Sequence, residues 1–264
     1  MKSFFSYLLA CSLFGSLPLL AEEDASTLAK ELSNPVASLI SVPLQNNWDY
    51  HIGPNDATRY SLNVQPVIPI ALSSDLNLIS RTILPFIDQG AISNQIGSKS
   101  GLGDIIQSFF FSPTAPTSGG WIWGAGPVVL LPTATDDFLG SGKWGLGPSA
   151  VLLRQSGGWT YGALVNHIWS VGGESDRSAV NATFLQPFLS YTTKTATSFT
   201  VNAESTYDWT AHQWTLPLIF QVAQVLKVGG QPISLGLGAR YFAEGPQLRP
   251  SWGARFSLTF LFPK

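Results

Sequence analysis

From residue 36 onward the chain reads as stretches of about ten or more residues in which side chains of opposite character alternate, a period of two that only β-strands satisfy. In Ser251 to Phe262, residues Trp252, Ala254, Phe256, Leu258, Phe260 and Phe262 share one face, and Ser251, Gly253, Arg255, Ser257 and Thr259 share the other. Residues 232–241 and 199–208 repeat the pattern. In Tyr60 to Leu72, Tyr60, Leu62, Val64, Ile68 and Ile70 stand against Ser61, Asn63 and Gln65. One face is apolar; the other is small and polar rather than charged. A soluble sandwich or lipocalin-like barrel would bury the apolar face and carry charge on the other. This chain has only 14 Lys plus Arg and 16 Asp plus Glu, or 11% charged, against about a quarter in ordinary soluble domains. A closed β-barrel in a membrane tolerates that composition, because its outer face meets lipid and its inner face a lumen.

Twelve such stretches are predicted, at 36–48, 58–72, 76–88, 101–112, 119–131, 142–154, 158–170, 178–192, 196–208, 212–226, 231–242 and 250–262. Single-chain bacterial barrels have even strand numbers. Their connections alternate between tight ones (Ser73 to Asp75, Gln155 to Gly157, Thr193 to Thr195, Lys227 to Gly230) and longer ones (Asp49 to Ala57, Gln89 to Ser100, Pro132 to Ser141, Gly172 to Arg177, Glu244 to Arg249). Periplasmic turns and outer loops differ in this way, although 209–211 is a short outer loop. Indole favours the membrane–water interface. Accordingly Trp48, Trp144, Trp169, Trp209, Trp214 and Trp252 fall at outer strand ends, and Trp121, Trp123 and Trp159 at periplasmic ends. The fold class expected is therefore all-β: a transmembrane antiparallel barrel of about 12 strands with a short N-terminal helix.

The ends fit export. Lys2, the apolar stretch Phe4 to Leu20 and Ala21 before Glu22, Glu23 and Asp24 read as a signal peptide over residues 1–21. Residues 22–35 form an amphipathic segment, halted by Asn34 and Pro35, that either plugs the periplasmic mouth or trails as a leader. The barrel is assigned to 36–264. The single cysteine, Cys11, lies in the leader, so the mature chain has no thiol for a disulfide, a metal or a nucleophile. A net charge of −2 argues against a nucleic-acid partner.

Several strings carry a resemblance: Asn34-Pro-Val-Ala-Ser-Leu-Ile40, Gln65-Pro-Val-Ile-Pro69, Arg81-Thr-Ile-Leu-Pro85, Gly101-Leu-Gly-Asp104, Leu131-Pro-Thr-Ala-Thr-Asp-Asp137, Asn166-His-Ile-Trp169, Phe184-Leu-Gln-Pro-Phe188, Glu204-Ser-Thr-Tyr207 and Phe260-Leu-Phe-Pro-Lys264. So do Gly142-Lys-Trp-Gly145 and the following Gly147-Pro148. Together they resemble, in order along the mature chain, the bacterial outer-membrane family called neuromedin U-like, related to proteins of the MetA-pathway of phenol degradation. That resemblance implies a Gram-negative outer-membrane channel or transporter, sometimes associated with aromatic degradation. It brings no catalytic or binding residue set and no hormone activity. The chain ends on Lys264, so Phe262 is the aromatic offered to barrel-assembly machinery.

Strand parity predicts Arg81, Glu204, Arg240 and Arg255 inside, in the company of Gln45, Asn63, Gln65, Asn77, Asn202 and Gln221, because an ionised group at membrane depth avoids lipid. They are the candidates for a constriction, with the arginines facing Glu204, that selects solutes by size and charge, or for a network that merely fills the lumen. Parity leaves residues 184–189 ambiguous. With Phe184 and Phe188 inward, the lumen would offer contacts to aromatic solutes. Neither a metal site nor a cofactor is expected: Asp136 and Asp137 lack further oxygen ligands nearby, and Gly140-Ser-Gly-Lys143 lacks the spacing of a phosphate loop. His167 and Ser170 are three apart and so on opposite strand faces, which disfavours hydrolytic chemistry. The function expected is passage of small organic solutes, with aromatic ones as candidates; the alternative is a non-conducting structural or surface-interaction barrel.

Overall fold

The computed structural model describes residues 22–263; the expected signal peptide at 1–21 lies outside them. Helix α1 (Glu22–Leu32) precedes β1 (Ile40–Ile52), β2 (Ala57–Val64), β3 (Val67–Ala71), β4 (Leu76–Gln89), β5 (Lys99–Leu102), β6 (Ile105–Pro113), β7 (Trp121–Leu131) and β8 (Lys143–Ser156). Then come β9 (Trp159–Gly173), β10 (Asn181–Thr192), β11 (Thr197–Ala203), β12 (Ser205–Asp208), β13 (Gln213–Val228), β14 (Gln231–Glu244) and β15 (Trp252–Phe262). The pairs β2/β3, β5/β6 and β11/β12 are each one stave with a local break, so 15 segments make a closed barrel of 12 antiparallel staves. The break between β2 and β3 falls at Gln65 and Pro66, where proline has no N–H to give the ladder. Each stave pairs with its chain neighbours. The last, β15, closes on the first along a register from Ile40↔Phe262 to Tyr50↔Trp252. At one hairpin, Gly229 and Gly230 both hold positive φ (55° and 89°), the conformation a two-residue turn requires.

The outward surface is apolar. Leu146, Leu152, Val165, Leu185, Val201, Leu218, Phe220 and Leu237 are exposed there, between exposed indoles. On β9, Trp159 and Trp169 stand ten residues apart. At about 3.3 Å per residue and a tilt of about 40°, they are separated by about 25 Å along the barrel axis, the height of an outer-membrane barrel's apolar band. So large an apolar surface is not stable facing water.

The wall has one seam. Pro127 and Pro148 face each other across β7–β8. Pairing is missing on both outer flanks at that level: β6–β7 skips from Ser108↔Val128 to Phe111↔Ala125, and β8–β9 skips from Leu146↔Trp169 to Ser149↔Asn166. Neither proline can donate to its neighbour. Backbones crowd there instead: a Cβ on Gly147 would lie 1.7 Å from the His167 carbonyl oxygen, and one on Gly126 would lie 2.1 Å from that of Phe109.

Helix α1 sits in the mouth on the side of the chain termini. Ala25, Leu28 and Ala29 bury against Leu39, Ala196, Val225 and Leu261. Gln155 Nε2 donates to the Lys30 carbonyl at 2.8 Å. After the stop at Asn34, whose side chain accepts from the Val36 N–H, Val36 enters the lumen and packs on Ile79, Phe110 and Leu153. Residues 22–39 thus touch several staves on different sides of the mouth.

Sequence parity holds for the clear staves, but the lumen is not uniformly polar as expected. The inward faces of β4 and β6–β10 bring together Ile79, Phe110, Val151, Leu153 and Leu164, with Ile122, Phe184 and Phe188 against them. A barrel of this size encloses too little space for a wide aqueous bore, so side chains pack across part of it. One half of the lumen is apolar and the other polar.

Candidate solute-conducting lumen

The polar half is built by β1, β2, β4, β11 and β13–β15, which alternate small residues inward with occasional long polar ones. Below the loop end lies a first layer. Arg240 Nη1 donates to Asp49 Oδ1 at 2.6 Å, and Arg59 Nε donates to Gln89 Oε1 at 2.5 Å. Next, Arg255 grips Glu204 with both Nη atoms (2.8 and 3.0 Å), and its Nε donates to Asn47 at 2.7 Å. This fork matches a carboxylate in two bonds and fixes both side chains. Arg255 is only 3% exposed. Third, Gln65 donates to Gln45 at 3.1 Å and accepts a long 3.4 Å bond from Arg81.

Beneath the third layer and above α1 lies a cavity of about 260 Å³, lined by Gln65, Arg81, Asn202 and Gln221, with Val67 beside Arg81 and Phe188 beside Asn202. Thus Arg81, Gln65 and Asn202 meet at one space, while Glu204 and Arg255 form the layer above it. Arg240 faces Asp49 rather than Glu204. Asn63 lies on the inward face of β2 in register with Gln45. Phe184 and Phe188 both face inward, which resolves the ambiguous stretch. His167 points outward, bonded to Thr183 and against the Trp169 ring, while Ser170 faces the other way and bonds the Val180 N–H.

Two charged members of the network, Asp49 and Arg59, were not among the expected residues. Asp49 opens one of the expected loops, but β1 runs four residues past Trp48, so Gln45, Asn47 and Asp49 form one inward row. The alternation through Tyr50 carries that signal. In these layers four arginines (59, 81, 240 and 255) face two carboxylates (Asp49 and Glu204), an excess of two positive charges. At the loop end, Asp136 is taken up by Lys99 at 2.8 Å.

The fold and site together define a class: a β-barrel of the outer-membrane type with a constricted lumen. No protein-family model matches the chain, and no curated protein does. Solved structures do. An outer membrane channel from Pseudomonas putida F1 is similar over 85% of this chain and 94% of its own, at 16% identity and a TM-score of 0.66. The NanC porin is similar over 85% of this chain and 100% of its own, at 10% identity and a TM-score of 0.53. The outer membrane phospholipase A of Escherichia coli covers 91% of this chain at 12% identity, with a TM-score of 0.43. At these identities the likeness to the first two establishes the fold.

Proposed function

We propose that this protein is a channel of a Gram-negative outer membrane that passes small organic solutes, and that it is not an enzyme. The observation that carries the reading is the lumen. A ladder of arginine-bearing layers leads into an internal cavity, inside a wall whose outer face is suited to lipid. The likeness in fold to a channel and a porin supports it. In the same reading residues 1–21 direct export, and the closing stave presents Phe262 to the assembly machinery. The resemblance of its strings to the neuromedin U-like and MetA-pathway proteins makes aromatic compounds the first solutes to try.

The docked helix supports a second reading, a structural barrel that does not conduct. Planar-bilayer recording on purified protein separates the two. Discrete steps in the full chain, enlarged when residues 22–34 are deleted, support the channel. No current above the lipid background in either form would refute it.

A further inference from the structure

We infer that the lumen cavity is a binding site for small carboxylates with an apolar body, held by Arg81 on one side and by Phe188 on the other. The inference rests on the channel reading for its physiological meaning, but not for its test. Three observations carry it. First, Arg81 lines the cavity, and its side-chain hydrogen bond is the 3.4 Å contact to Gln65. Among the described residues no carboxylate lies within ion-pair distance of it, whereas Arg240 and Arg255 each hold one. A guanidinium deep in a protein is stabilised by a planar anion that takes two of its N–H groups at once.

Second, the cavity has apolar surface on both walls: Phe188 stands on the wall facing Arg81, and Val67, the cross-strand partner of Arg81, and Ile79, two residues before it on β4, stand beside it. A bare inorganic anion would leave that surface in contact with nothing but water. A ring or short hydrocarbon chain would cover it, and each buried methylene adds to binding. Third, on the loop side of the cavity stand Arg59, Arg240 and Arg255, whose positive charge exceeds the negative charge of Asp49 and Glu204 and favours an anion in the space beneath them. Glu31, on α1, lines the cavity from the plug side. It repels an anion from the floor, so the solute rests on Arg81 rather than against the helix.

The probe is benzoate, with acetate (charge without the ring) and benzyl alcohol (ring without the charge) as comparisons. Calorimetric titration of the purified full chain in detergent is expected to rank benzoate above both. Arg81→Gln should weaken benzoate about tenfold or more. Arg81→Lys should keep part of the affinity, and Phe188→Ser should bring benzoate down to the level of acetate. Resistance of the folded band to unfolding in cold detergent checks that each variant is a barrel. In bilayers, benzoate should block chloride current in the wild type and not in Arg81→Gln. Equal affinities for benzoate and benzyl alcohol, or benzoate binding unchanged in folded Arg81→Gln, would overturn the site. Benzoate binding lost in Arg81→Gln, in a protein that passes no current, would uphold the site and refute the channel.

Discussion

Leu28 is the residue through which the plug can be tested most directly. It is 8% exposed and packs with Ala25 and Ala29 against Leu39, Val225 and Leu261 inside the mouth. Burying a leucine contributes about 2 kcal/mol. Leu28→Asp forfeits that contribution and cannot place a charge among those neighbours without a partner. At about 1.4 kcal/mol per factor of ten, the ratio of undocked to docked helix rises at least about thirtyfold. In single-channel records the fraction of time at the largest open level should rise by that factor, or saturate. Protease cleavage within residues 22–34 requires undocking, so its rate in detergent should rise in parallel. Leu28→Met preserves the volume and should stay close to wild type. An open fraction and a cleavage rate both unchanged in Leu28→Asp would mean that helix docking does not control the mouth, and the account of the plug would fall.

Further predictions follow from the lumen and the wall. Glu204→Gln leaves Arg255 with Asn47 and a neutral amide. The excess positive charge of the layers grows, so the reversal potential in a salt gradient should shift further toward anions, and heat unfolding should occur earlier by up to about 3 kcal/mol of stability. Gly147→Val drives a side chain into the His167 carbonyl and should sharply lower the yield of folded barrel. Gly172→Val, where nothing lies within 4 Å of the added carbon, should fold normally. Glu31 faces the cavity at the mouth, and partial loss of water there raises its carboxyl above the usual 4.5. The docked helix therefore holds the proton more tightly than the free one. Docking strengthens as pH falls into the range just above 4.5 and weakens above it. Open fraction measured against pH should fall on the acid side, and Glu31→Gln should flatten the curve.

The staves were legible because lipid on one side and lumen on the other impose opposite chemistry on successive residues. That contrast is strong in β2, β14 and β15, where sequence and structure agree on every inward residue named. It fails where both neighbours of a residue are apolar. Val151, Leu152 and Leu153 give no polarity signal, and only the register of β8 with β7 and β9 shows that the first and third point inward. The same blindness hid the apolar half of the lumen and left Phe184 and Phe188 undecided. Asp49 was missed for a different reason. Trp48 looks like a strand end in the sequence, yet a girdle residue marks the edge of the lipid, and β1 continues beyond it to Ile52. Which arginine meets which carboxylate was not readable, because Glu204 meets Arg255 from a non-neighbouring stave across the lumen.

The seam at Pro127 and Pro148 bears on the mechanics of the wall. A closed ladder resists deformation because every stave is bonded on both edges, and here rungs are absent at one level on either side of a two-stave panel. The panel is unbonded to its neighbours at that one level and laddered to them above and below it. Pressure from within, or a change in lateral tension in the surrounding lipid, will ovalise the tube there before it widens anywhere else. In the proposed channel, the upper size limit of a solute would then depend on how far this panel yields. Backbone amides of Gly147 and Ile168 should exchange with solvent deuterium faster than those of the closing β1–β15 pair.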